Sequence, residues 1–176
     1  MKHILVAVDL QNDFIDGALG TPEAVEIVER ACERIRSHEG PILVTLDTHG
    51  AEYLEMREGR FLPVPHCVKG TDGWKLHPKV EEALLGKAYL RVEKPTFGSV
   101  ELPALVKVLA NGEPFTVTLL GLCTDICVVS NAMLIKAAFP EIDVCVDASA
   151  SAGVTPAKQE AALETMRSCQ SEIQNS

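Results

Sequence analysis

FTVTLLGLCTDICVVSNAMLIKAA, residues 115–138, is the stretch on which the fold reading turns. The apolar, β-branched run over 115–120 reads as a short buried strand, and Gly121 punctuates its end. Thr124 then stands where a helix cap belongs, and apolar residues recur through 125–138 as a helix requires. A strand handed to a helix through a short turn is half of a crossover, the connection that joins parallel strands. The same alternation continues on both sides. Further strands are expected at 3–8, 42–46, 88–92, 143–146 and 171–173, and helices at 22–37, 78–85, 102–109 and 156–167. Pro22 and Pro156 sit just inside their helices, each behind a threonine able to cap the free amides. The first helix shows Ala24, Ile27, Val28, Ala31 and Ile35 at a period near 3.6, so one face packs on a sheet. The expected class is therefore α/β, a single three-layer domain over residues 1–176 with a parallel sheet between helices.

Composition narrows the function. A chain of 176 residues that is 47% hydrophobic can build a core. Its formal charge of −9 repels polyphosphates and anionic bilayers, so no nucleic acid and no membrane is expected as partner, and a small molecule is. No apolar run is long enough to span a bilayer, and the start lacks the pattern of a secretory signal, so a cytoplasmic location is expected. The six cysteines are scattered through strand-like and helix-like segments without zinc-ribbon spacing; most read as reduced packing residues, and at most one as chemically active.

In a parallel α/β sheet, ligands bind outside the carboxyl ends of the strands. Asp9 ends the first strand, Asp47 and His49 the second, and Glu93 and Lys94 the third, while 121–127 follow the fourth. The long irregular stretch 48–77 should hold part of the site, because loops of that length in compact domains are usually functional. Each residue also has a plain reading. Asp9 could bond the amides of its own loop, Lys94 could be a solvated strand end, and Cys127 could fill the core. Against the last stands its position: a thiol in the first turn of a helix feels the positive end of the helix dipole, which favours the thiolate. Asp47 and His49 fall on one side of an extended segment, and His66 offers a second imidazole within the long loop.

Four segments carry a family resemblance. Asp9-Leu10-Gln11-Asn12-Asp13-Phe14 resembles the D-x-Q-N-D-F opening of the isochorismatase-like hydrolases. Lys94 with Phe97 and Ser99 is similar to their third-strand lysine pattern, and Gly121-Leu122-Cys123-Thr124-Asp125-Ile126-Cys127-Val128 to their nucleophile motif G-x-x-T-D-x-C-V. Val64-Pro65-His66-Cys67-Val68-Lys69-Gly70-Thr71 is similar to a segment of the nicotinamidase (pyrazinamidase) branch. The resemblance implies a six-stranded parallel sheet, a cysteine hydrolase with Asp9, Lys94 and Cys127 as its triad, a cis Leu122–Cys123 bond, and an oxyanion hole formed by the amides of Cys123 and Cys127. It further implies a divalent metal on Asp47, His49, His66 and a glutamate, Glu58 being preferred to Glu55. Imidazoles with carboxylates suit zinc, iron or manganese alike. Lys94 is expected to draw the Cys127 thiol toward or below neutrality.

The implied substrate is a small-molecule amide, hydrolysed to the acid and ammonia through a cysteine thioester, and the implied assembly is a homo-oligomer, dimer or tetramer. Where nicotinamidases often carry an aromatic residue before the metal-binding histidine, this chain has Pro63. Phe14, Phe61 and Trp74 are the candidates to take its place against a substrate ring, with Phe97 a further contact. Rival readings are a family amidase acting on a carbamoyl or ureido compound, hydrolysis of a vinyl ether by relatives without the cysteine, and a non-catalytic binding protein on the same fold.

Overall fold

The computed structural model describes all residues, 1–176. Six strands form one sheet: β1 (Lys2–Val8), β2 (Ile42–Asp47), β3 (Tyr89–Lys94), β4 (Phe115–Leu122), β5 (Val144–Ala152) and β6 (Glu172–Gln174). Every pairing is parallel, and the order across the sheet is β3-β2-β1-β4-β5-β6. The chain thus winds outward from β1 in one direction, then returns and winds the other way from β4. Between β1 and β4 lies the switch point, where diverging connections leave a crevice at the carboxyl ends of the strands.

The helices are α1 (Asn12–Ile15), α2 (Pro22–Glu26), α3 (Val28–Ser37), α4 (Arg57–Phe61), α5 (Pro78–Ala83), α6 (Leu102–Ala110), α7 (Val129–Ala138) and α8 (Pro156–Ser168). Two apolar clusters hold them on opposite faces of the sheet. Leu5 and Ala7 of β1 point to one, where α3 lays down Val28, Ala31, Cys32 and Ile35. Ile4, Val6 and Val8 point to the other, against Val106 of α6, Ile135 of α7 and Leu163 of α8. The alternation of β1 is the period-2 pleat of a strand covered on both sides. At roughly 1.5–3 kcal/mol for each fully buried Val, Leu or Ile, these faces supply the main drive to fold.

Four local features differ from the sequence expectation. The helix expected over 22–37 is two helices, α2 and α3, meeting at Ile27, which keeps a right-handed backbone with φ −81° and ψ −12°. The irregular stretch 48–77 contains α4 and a 3₁₀ turn, Tyr53–Glu55. The helix expected to start at Asp125 opens with a wide π turn over Thr124–Val128, in which the Val128 amide reaches back to the Cys123 carbonyl at 3.1 Å.

Finally, β5 runs to Ala152, so Asp147 is buried in mid-strand and does not end it. The run of Ala and Ser after Asp147 has none of the β-branched content that marks a strand. Its pairing with β4 shifts register between Leu119 and Gly121. Serine hydroxyls stitch the irregularity: Ser151 Oγ accepts from the Gly121 amide at 3.2 Å and donates to the Asp147 carbonyl at 2.7 Å. Gly121 itself has φ +120°, and a Cβ there would lie 2.1 Å from the Val8 carbonyl oxygen. Only glycine allows β4 to pass β1 this closely.

Candidate active site

Register brings the site together. Val8 pairs with Thr45 on one side and with Gly121 on the other, so β1, β2 and β4 end at a common level. Asp47 pairs with Lys94, which sets β3 at the same edge. The residue after Val8 is Asp9, fully buried and turned by a positive φ of 48°, a left-handed conformation that aspartate tolerates better than most residues. Val92 and Lys94 are the two inward positions of β3, so the pleat carries the lysine ammonium into the protein.

Asp9, Lys94 and Cys127 meet there. Lys94 Nζ lies 2.6 Å from Asp9 Oδ2 and 3.5 Å from Cys127 Sγ. The other Asp9 oxygen accepts the Thr45 hydroxyl at 2.6 Å, and Asp9 makes no bond to its own loop amides. None of the three is a surface group: Asp9, Lys94 and Cys127 are 0%, 1% and 3% exposed. The reading of Lys94 as a solvated strand end therefore fails. Cys127 packs in the apolar cluster under α7 while its sulfur faces the ion pair.

Burial governs the protonation states. It pushes the Cys127 thiol well up, and the Asp9 charge adds to this, so that Lys94 offsets the rise only in part. The expectation of a thiol drawn toward or below neutrality is corrected accordingly: two carboxylates and a dry surround outweigh one ammonium. Burial also raises the Asp9 carboxyl despite Lys94, with Asp47 contributing in the same direction. Burial works against the Lys94 charge, yet Asp9, Cys127 and Asp47 outweigh it and hold its proton. Burial thus disfavours the charged forms of Cys127 and Asp9, while the surrounding negative groups favour the Lys94 cation.

Asp47 joins this cluster to a second one. Its Oδ1 stands 3.3 Å from Lys94 Nζ, while its Oδ2 stands 3.0 Å from His49 Nε2 and 3.5 Å from His66 Nε2. Glu58 Oε1 completes the group at 3.7 Å from His49 and 3.6 Å from His66. The four ligand atoms lie within 4.8 Å of one another, and Glu58, not Glu55, is the glutamate brought in. The long loop achieves this by running back beside His49, whose amide donates to the Cys67 carbonyl at 3.0 Å and whose carbonyl accepts from Lys69 at 2.9 Å.

The donor set suits a divalent cation. The His66 Nδ1–H donates to the Val64 carbonyl at 2.9 Å, which leaves Nε2 as a lone pair aimed at the cluster, the arrangement that orients a metal-ligating histidine. Tyr53 packs edge-on against both imidazoles, with ring centroids 4.8 and 5.0 Å away, and anchors its hydroxyl on the Leu62 carbonyl. Two imidazoles and two carboxylates are a donor set for zinc, iron or manganese.

Several positioning residues had no role in the sequence reading. Gln11 clamps the β2 end through both sides of its amide, accepting from the Asp47 N–H at 2.7 Å and donating to the Asp47 carbonyl at 2.9 Å. Asp13 accepts from the Cys67 amide at 2.8 Å, tying the first motif to the histidine loop. Asn131, one helical turn beyond the thiol, donates to the Cys127 and Phe97 carbonyls at 2.9 and 3.3 Å and accepts from the Ser99 amide at 2.9 Å. Gln11 and Asp13 lay inside a recognised motif, whereas Thr45 and Asn131 carried no signal beyond spacing.

The Leu122–Cys123 peptide is cis, and the Cys123 amide has no backbone acceptor. Beside the metal-ligand cluster opens a cleft of about 500 Å³, lined by His49, by Arg57, Glu58 and Phe61 of α4, and by residues 95–97 after β3. Phe61 and Phe97 therefore face it. Phe14 is buried edge-on to His66, at 5.5 Å between centroids. Trp74 lines no part of this cleft; its indole N–H is spent on Thr48 Oγ1 at 2.9 Å.

Comparison with known proteins agrees with this fold. The nicotinamidase/pyrazinamidase structure from Bacillus subtilis is 26% identical, with a TM-score of 0.83 over 98% of this chain and 99% of that one. A pyrazinamidase from Pyrococcus horikoshii, solved in complex with zinc, is 26% identical with a TM-score of 0.82, over 98% of both chains. The nicotinamidase of Escherichia coli K12 is 27% identical over 153 residues, 70% of this chain and 71% of its own length. The family model of the isochorismatase domain matches residues 3–176, and the chain belongs to the isochorismatase family.

Proposed function

We propose that this protein is a cysteine amidohydrolase that converts a nicotinamide-like carboxamide to the carboxylic acid and ammonia, with Asp9, Lys94 and Cys127 as its catalytic residues. The observation that carries the reading is the buried Asp9–Lys94–Cys127 contact at the switch point, sharing Asp47 with the histidine cluster. Asp9 takes the thiol proton as Cys127 Sγ bonds to the amide carbon. The two amides of Cys123 and Cys127 receive the oxyanion. Asp9 then returns the proton to the leaving nitrogen, ammonia departs and a thioester remains. Water adds to the thioester while Asp9 accepts its proton, the acid leaves, and the thiol is restored. Lys94 stays protonated throughout, balancing the negative charge that moves between sulfur and Asp9.

Asp47, His49, Glu58 and His66 would hold a divalent metal. When bound, it supplies a Lewis acid able to anchor the substrate beside the thiol. Phe61 and Phe97 flank the substrate in the cleft. The same reading places the enzyme in the cytoplasm as a dimer or tetramer, which fractionation and light scattering test. No helix is long and apolar enough to cross a membrane.

A second reading, an amidase of the same family acting on a carbamoyl or ureido compound, is favoured by one observation: Pro63 occupies a usual aromatic position and Trp74 lies outside the cleft lining. Ammonia release from nicotinamide decides between them. Activity that is lost on chelation, regained with zinc or manganese, and absent in Cys127→Ala supports the nicotinamidase reading. Silence toward nicotinamide with turnover of a ureido compound selects the other.

A further inference from the structure

The cleft carries a cation that the triad and the metal ligands leave unused. Arg57 lines the cleft, and its guanidinium carbon sits 5.0 Å from the centroid of the Phe61 ring. Stacking on an aromatic face fixes a guanidinium while leaving its in-plane N–H donors free. Arg57 forms no ion pair and no side-chain hydrogen bond, although the chain carries a net charge of −9. The nearest acid in sequence, Glu58, turns to His49 and His66 at 3.7 and 3.6 Å and does not neutralise it. Phe61 itself is 76% exposed, an apolar surface beside Arg57 at the cleft.

We infer that the substrate is an anionic carboxamide, a planar ring bearing the amide at one position and a carboxylate at another, with Arg57 as the residue that selects the carboxylate. This assignment rests on the amidase reading of the same cleft and adds the charge of the substrate to it. A forked guanidinium meets a carboxylate through two parallel hydrogen bonds, so the group sets orientation as well as affinity. The acid product, carrying a second negative charge, is held by the same guanidinium and inhibits as it accumulates.

The test compares nicotinamide with 5-carbamoylpyridine-3-carboxylate on the metal-loaded enzyme. The wild type is expected to favour the carboxylated amide by about tenfold in kcat/KM, the worth of one charge-assisted hydrogen bond at a solvent-exposed site. Arg57→Gln brings that ratio toward one, Arg57→Lys restores part of it, and added salt lowers it in the wild type alone. A wild-type ratio at or below one, or a ratio that Arg57→Gln leaves unchanged, overturns the assignment. Should neither amide release ammonia, the reading of a nicotinamide-like substrate falls, and calorimetric binding of pyridine-3,5-dicarboxylate then judges Arg57 separately: binding about tenfold weaker in Arg57→Gln upholds its role, and equal binding removes it.

Discussion

Replacing Lys94 with methionine removes the one positive charge between two buried carboxylates while keeping most of the side-chain volume. The ammonium stands 2.6 Å from Asp9 and 3.3 Å from Asp47, with all three side chains essentially shielded from water. Breaking a buried pair from one side leaves an uncompensated charge and costs about 3–5 kcal/mol. For a domain of this size, each kcal/mol is worth about 2–4 °C, so Lys94→Met is expected to melt roughly 6–20 °C lower. Urea denaturation in the presence of a chelator, so that only side chains balance Asp47, measures the loss directly. Asp9→Asn in the Lys94→Met background removes one of the two stranded charges. The double variant should therefore be less destabilised than the sum of the singles by about 1–3 kcal/mol. A Lys94→Met protein as stable as the wild type, or strict additivity in the double variant, would refute the account of Lys94 as the counter-ion of this centre.

Other expectations follow from single contacts. Gly121→Ala places a Cβ 2.1 Å from the Val8 carbonyl at φ +120°, and is expected to lose at least about 2 kcal/mol in denaturation or to fail to accumulate as folded protein. Asn131→Ala strips partners from the Cys127 carbonyl and the Ser99 amide, and should cost about 1–3 kcal/mol by thermal denaturation while lowering kcat more than it changes KM. Zinc added at about 100 times its dissociation constant should stabilise the chelated protein by about 2.7 kcal/mol, and His66→Ala should abolish that increment. Because burial raises the Cys127 thiol, its alkylation by iodoacetamide should be slow near neutrality and speed up as pH rises, with the exposed Cys169 modified first in mass spectra; rapid neutral alkylation of Cys127 would contradict the raised thiol.

Much of the site was legible because its residues sit in short, locally determined segments. Asp9 and Cys127 follow strands whose apolar runs are plain, Lys94 ends the third strand, and the rule that parallel sheets bind at their carboxyl ends names them before any contact is known. The histidine ligands were legible through spacing and motif, since Asp47 and His49 alternate on one extended segment and His66 lies in a recognisable loop. Asn131 and Thr45 were not, because a polar residue in a helix or strand acquires a role only when another element supplies its partner. The extent of β5 was hidden for a related reason: Ala and Ser lack strand propensity, and the sheet admits them through serine hydroxyls bonded across a register shift. Trp74 was selected for its aromatic ring, yet the structure directs its indole N–H to Thr48.

What the sequence determined by itself is the alternation of strands and helices, the order of the motifs and the chemical types that gather at the strand ends, because apolar periodicity and turn residues are local properties of a chain. Tertiary structure alone decided the charges. The same cysteine that a helix start would activate has its thiol pushed up by burial and by Asp9. Asp47 serves two clusters through its two oxygens, and Arg57 faces the cleft unpaired while Glu58 turns to the histidines. Desolvation and the sharing of one carboxylate between neighbours depend on distances among segments far apart in the chain, and those distances exist only once the sheet has closed.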